Sequence, residues 1–137
     1  MAVSYIQVAP DGNTPISTLP VTSASSGNVV AAVATATLAA VANKTNYITG
    51  FEITSAGATA GAIVNPTVTG VLGGTLTYTY ASVTGATLLN PVLAITFNPP
   101  LAASGVGVAI AVSCPSLGAG NTNATVVAHG YSLGAAV

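Results

Sequence analysis

Thr67-Val-Thr-Gly-Val-Leu-Gly-Gly-Thr-Leu-Thr-Tyr-Thr-Tyr80 is the stretch that decides how this chain folds. Two runs rich in β-branched and aromatic residues, 67–72 and 75–80, flank Gly73-Gly74, a pair able to take the positive φ angles of a tight hairpin turn. In the second run Leu76, Tyr78 and Tyr80 alternate with Thr75, Thr77 and Thr79. Successive side chains of a strand point to opposite faces, so this strand presents one apolar face and one hydroxyl-rich face without charge.

Working outward from the hairpin, short β-branched runs separated by Gly, Asn and Pro recur from Val29 onward, the pattern of a sandwich or barrel rather than of helices. Residues 29–42 mix Ala, which suits a helix, with Val and Thr, which suit a strand, and we read them as one strand. Residues 47–54 and 62–69 follow, the latter carrying Pro66 as the mark of an edge or bulge. Residues 92–98 form a further strand halted by Pro99-Pro100, and 106–112 alternates large and small side chains, predicting one filled face and one that permits close approach. A last strand spans 124–133, after the polar loop 118–123. The count predicts an all-β fold, an antiparallel β-sandwich of seven or eight strands, as a jelly roll or another Greek-key arrangement. Ahead of it, 2–8 reads as a short strand, and the Ser/Thr/Pro-rich stretch from Pro10 to Asn28 as an extended arm. The chain thus divides into an N-terminal strand and arm, 1–28, and a sandwich domain, 29–137.

Charge is the unusual quantity. Only 2% of the 137 residues are charged, namely Asp11, Lys44 and Glu52, where a soluble domain has roughly 25%. A net charge of −1 offers no basic footprint for phosphates, which argues against nucleic acid and anionic membranes as partners. With 51% hydrophobic residues and almost no self-repulsion, the chain is expected to be covered by neighbours, as a dimer or trimer or within a larger assembly. The apolar run 29–42 falls short of the ~20 residues of a membrane span. Met1-Ala-Val-Ser-Tyr lacks the positive region of a secretory signal, so the protein is expected to stay where it is made or to leave inside a particle. Cys114 is alone, which excludes an intrachain disulfide and makes it a small buried hydrophobe.

Residues able to carry chemistry are few. Gly130-Tyr-Ser-Leu-Gly134 matches the G-x-S-x-G pattern of a nucleophilic serine, but that pattern requires a helix, an acid and a histidine after Ser132, and none follows. His129 sits three residues before Ser132, and an odd spacing on a strand puts the two on opposite faces. A metal site would have to combine His129 with Asp11, Glu52 and Cys114, which are far apart in sequence, and Asp11 lies in a turn that holds no geometry for paired-carboxylate catalysis. The only lysine, Lys44, belongs to no phosphate loop. The sequons Asn43-Lys-Thr45 and Asn123-Ala-Thr125 carry no weight without secretion. Lys44 and Glu52 are expected either to be solvated or to pair with each other or across a subunit contact. Thr75, Thr77 and Thr79 raise the idea of an ice-binding face, but such a face needs threonine ladders across several strands, and no fixed-period repeat is present. Tyr5, Tyr47, Tyr78, Tyr80 and Tyr131, with no Trp, are expected to pack in the sandwich with their hydroxyls at its rim, which disfavours a sugar platform. The residues therefore predict a non-enzymatic structural module with no catalytic, metal or cofactor site.

Ala42-Asn-Lys-Thr-Asn-Tyr-Ile-Thr-Gly-Phe-Glu52, Leu72-Gly-Gly-Thr75, Gly118-Ala-Gly-Asn-Thr122 and Ala128-His-Gly-Tyr131, taken in order, resemble small virion proteins of tailed bacteriophages, most of all the cement or decoration proteins of the capsid exterior. The likeness runs from about residue 29 to 133. It implies a jelly-roll-like sandwich, made in the host cytoplasm, that binds the major capsid protein between capsomers, stabilises the shell and sends an extended arm to a neighbour. A head-fibre or tail subunit is the alternative within virions, and a bacterial surface adhesin module the alternative outside them.

Overall fold

The computed structural model describes residues 21–85, 89–118 and 122–134, and everything regular in it is strand. The elements are β1 (Thr22–Ser25), β2 (Val29–Val30), β3 (Ala34–Leu38), β4 (Lys44–Ala56), β5 (Ile63–Val64), β6 (Thr67–Thr69), β7 (Leu76–Thr77), β8 (Tyr80–Ala81), β9 (Leu93–Ala102), β10 (Ile110–Cys114) and β11 (Asn123–Gly134). One sheet runs β1-β11-β4-β9, with β2 adding to β11, and the facing sheet runs β3-β10-β6-β7. All pairings are antiparallel.

The opening hairpin organises this topology. β6 pairs with β7 through Val68↔Leu76, β4 with β9 through Gly50↔Thr96, β3 with β10 through Leu38↔Ile110, and β1 with β11 through Thr22↔Gly130. The chain is thus one long antiparallel double strand closed at Gly73-Gly74, whose φ angles are 98° and 99°. Rolling that double strand adds the remaining contacts, β11 to β4 and β10 to β6. Without the short β2, β5 and β8, the eight frame strands take the orders first-eighth-third-sixth and second-seventh-fourth-fifth, which is a jelly roll. The short pair β5–β8 continues the β6–β7 register through Val64↔Tyr80, interrupted at Pro66, which has no N–H to contribute to a ladder.

Period-two alternation builds the core. Ala34, Ala36 and Leu38 of β3, Ile110, Val112 and Cys114 of β10, Ile53 and Phe51 of β4, and Ala124, Val126 and Ala128 of β11 all point inward and are buried. Ala and Cys at several of these positions bring the two sheets close together. Phe51 and Ile48, the largest fully buried side chains, fill the middle. The alternation of β4 breaks once, at the adjacent buried pair Gly50 and Phe51, where its register against β11 also shifts. Such a slip is a β-bulge, and it lets Ile48 and Phe51 both reach the interior.

Several boundaries differ from the sequence reading. Residues 29–42 are not one strand. Ala31, at φ 49°, and the bend around it separate β2 from β3, and the two halves join opposite sheets. Pro99-Pro100 does not halt the strand before it, since β9 continues to Ala102 with a cis Asn98–Pro99 bond and a register shift against β4. β9 is an edge strand, where the missing proline N–H breaks no ladder on the outer side. The alternating run 106–112 pairs only from Ile110, because Val106 and Gly107 form a turn whose Gly107 N–H donates to the Lys44 carbonyl at 2.8 Å. The arm read as ending at Asn28 is sheet across half of its described part: β1 pairs with β11 from Thr22 to Ser25. The predicted strand 2–8 and the rest of the arm lie outside the described residues.

Candidate functional site

Ser132 lies within β11, in extended strand and not on a strand-to-helix turn. Its Oγ donates to Asn46 Oδ1 at 2.6 Å. Asn46 in turn gives its amide protons to the carbonyls of Leu38 at 3.2 Å, Ala39 at 2.8 Å and Val108 at 3.1 Å. The serine of the G-x-S-x-G match is therefore one member of a buried polar clip that holds β4, β11, the end of β3 and the approach to β10 together. Gly130, the first glycine of that match, is needed for close approach, because a Cβ there would overlap the Tyr47 carbonyl.

His129 points to the outer face of the same sheet. Its Nδ1 shares a hydrogen bond of 2.8 Å with Ser23 Oγ on β1. Glu52 stands exposed on the next strand, β4, where it pairs with Val127, while His129 pairs with Gly50. Ser23, His129 and Glu52 thus run across three adjacent strands, and His129 and Glu52 line a shallow groove of about 280 Å³ with Thr49 and Thr96. Sequence reasoning missed Ser23, whose only signal is a register that the sequence does not display. The groove is open to solvent, and its lining offers hydroxyl, imidazole and carboxylate groups.

Lys44 opens β4 and Glu52 lies beyond its middle, so about 27 Å of strand separates them and they do not pair. Asp11 lies outside the described residues. Among the described residues no three His, Cys, Asp or Glu side chains gather as metal ligands, and no helix is long and apolar enough to cross a membrane. Cys114 is fully buried, and burial pushes its thiol pKa up to about 11. Tyr80 is buried with its hydroxyl donating to the Pro91 carbonyl at 2.6 Å, and Tyr78 meets Phe51 edge-on with centroids 5.3 Å apart. Tyr47 and Tyr131 depart from the expected packing: they stack at 5.2 Å and form a separate small cluster with Leu133. Burial raises the pKa of Tyr78, Tyr80 and Tyr131.

The outer face of the second sheet is a hydroxyl array. Thr35, Ser113, Thr67 and Thr77 stand in one register row across all four strands, and Thr37, Ala111 and Thr69 in the next. The threonine ladder thus forms without any repeat in the sequence. Neighbouring strands of a sheet are ordinarily rotated by roughly 20–25°, whereas an ice-binding face needs flat ladders. Part of the array bonds to itself, with Thr35 Oγ1 and Ser113 Oγ 2.8 Å apart.

The most distinctive surface is one end of the sandwich. Val30 pairs with Asn123, Asn123 with Ala56 and Ala56 with Leu89, and the β5–β8 pair and residues 82–85 and 89–92 lie at the same end. Val30, Val33, Ile63, Val83, Leu89 and Val92 are all exposed there, Leu89 at 81% and Ile63 at 77%. The described loops of this end, 26–33, 57–66, 82–85, 89–92 and 115–118, contain no ionisable side chain. Beneath the apolar rim is a satisfied polar network. Asn90 Nδ2 donates to Ser55 Oγ at 2.7 Å, Ser55 Oγ and Tyr80 Oη are 2.9 Å apart, the Val83 N–H donates to Asn90 Oδ1 at 2.6 Å, and Ser82 Oγ donates to the Leu117 carbonyl at 3.3 Å. Buried networks with every member paired rigidify what they join, so these side chains are exposed on a fixed frame. No protein-family model, curated protein or solved structure matches the chain.

Proposed function

We propose that this chain is a structural virion protein, a decoration or cement subunit that binds the outside of a phage head and stabilises the shell. The observation that carries the reading is the charge-free apolar end. Large apolar side chains held out on a rigid frame, with no charge to solvate them, mark a surface made to be covered by protein. The partner is the major capsid protein, met through apolar, hydroxyl and backbone contacts, and the resemblance of the four ordered segments to decoration proteins supports that choice. The virion surface is accordingly the proposed location.

Immunogold labelling of particles with an antibody to the chain tests the proposal. Gold distributed over heads is the expected result. Gold restricted to tails or head fibres would transfer the same physics to a tail or fibre subunit. Labelling of bacterial surfaces in the absence of particles would replace the virion reading with an adhesin module.

A further inference from the structure

The two sheets are stitched together at one corner of the β9 side. Val71 pairs with Ala103, the Leu72 N–H donates to the Ala102 carbonyl at 2.8 Å, and the Ser104 N–H donates to the Gly70 carbonyl at 2.8 Å. Away from that corner the outer edge of β9 meets no strand among the described residues. The free segment is Leu93-Ala-Ile-Thr-Phe-Asn98. It has no Lys, no inward charge and no Pro before position 99, and the irregularity of β9 against β4 begins only beyond Thr96. Leu93, Ile95 and Phe97 pack against the core but stay only half-buried, as do Leu76 and Tyr78 on the facing sheet. The sandwich is therefore open along this flank.

Other edges are poorer templates. β1 offers four residues and β7 two, and β3 lies beside β1, which covers that flank.

We infer that residues 93–98 form a homodimer seam, in which β9 of one copy pairs antiparallel with β9 of a second copy across a two-fold axis near Ile95. The strand is complementary to itself in that register. Leu93 meets Phe97 of the second copy, Ile95 meets its own counterpart, and Ala94 meets Thr96, so apolar side chains face apolar ones on the inner side and small ones meet on the outer. No charge opposes a like charge, a clash that ordinarily disfavours a strand meeting itself. Six residues of edge pairing bury less than the roughly 800 Å² per partner of a stable interface. The half-buried Leu76 and Tyr78 beside the seam and the exposed Val92, which continues it into the apolar end, add apolar surface to it. The seam does not depend on the virion role, since it concerns copies of this chain alone.

The native mass of the full chain at micromolar concentration, by sedimentation equilibrium, tests the seam together with Thr96→Lys and Leu89→Lys. Both replaced side chains are exposed. The expected result is two chain masses for the unmodified protein and for Leu89→Lys, and one chain mass for Thr96→Lys, which keeps a cooperative melting transition that no longer depends on protein concentration. Hydrogen exchange adds a readout that needs no variant: amides 93–97 should gain protection as protein concentration rises. A monomeric unmodified chain would overturn the seam. So would an oligomer that survives Thr96→Lys, or one dissolved by Leu89→Lys alone, a result that would move self-association to the apolar end and leave the virion reading intact. Failure of particle labelling, conversely, would remove that reading without touching the seam.

Discussion

Asn46 makes more side-chain contacts to distant backbone than any neighbour on its strand, with three carbonyl acceptors and the Ser132 hydroxyl around one amide. Asn46→Ala would leave those buried groups unpaired, and the expected loss is about 1–3 kcal/mol in urea denaturation. No ligand binding should change. A loss below about 0.5 kcal/mol would mean that water replaces the amide. Cys114 sets an alkaline limit. Its folded pKa of about 11 lies above its ordinary value of 9.0 because burial disfavours the thiolate. The unfolded chain therefore ionises first: stability is unaffected by this group below pH 9 and falls as pH rises from 9 toward 11. The raised Tyr78, Tyr80 and Tyr131 hydroxyls act in the same direction from about pH 10 upward, their ordinary value being 10.0. Cys114→Ala should flatten the decline between pH 9 and 11 in pH-dependent urea midpoints, whereas a decline of unchanged slope would locate the effect elsewhere.

Among the elements, the turn and the last strand illustrate two different demands for glycine. Nothing lies within 4 Å of a Cβ built on Gly73 or Gly74, so Gly74→Ala costs only the backbone strain of a positive φ, of order 1–3 kcal/mol. At Gly130 a Cβ would overlap the Tyr47 carbonyl and crowd Leu38 Cδ1, so Gly130→Ala should destabilise more than Gly74→Ala in the same denaturation series. Equal losses would show that β11 can shift to admit a methyl. These elements also separate what was legible from what was not. The hairpin, with its alternation of Leu76, Tyr78 and Tyr80 against Thr75, Thr77 and Thr79, could be read directly, because turn chemistry and period two are local. The break in 29–42 could not, because it falls at an alanine in a left-handed conformation that its side chain does not announce. The Thr35–Ser113–Thr67–Thr77 row and the Ser23–His129 pair were invisible for a related reason: each joins strands far apart in sequence through register.

For the whole molecule, scarcity of charge predicts how association should respond to conditions. Contacts made by Leu89, Val92 and the β9 edge carry no ion pairs, so both self-association and shell binding should hold nearly constant between low and high salt, where charge-driven binding weakens as screening lengths shorten. Sedimentation at two ionic strengths checks this, and a dissociation that tracks salt would return the interface to Lys44, Glu52 and His129. Composition, alternation and the Gly73-Gly74 turn by themselves determined an all-β sandwich with almost no ionisable groups, since these properties depend on residue type and on neighbours in the chain. Only the tertiary structure decided that the double strand rolls into a jelly roll, that Ser132 is spent on Asn46, that the described loops of one end are apolar and uncharged, and that the 93–98 edge of β9 meets no other strand among the described residues. The physical reason is that each of these is a relation between segments brought together by long-range pairing, and pairing partners are chosen by the packing of the whole core.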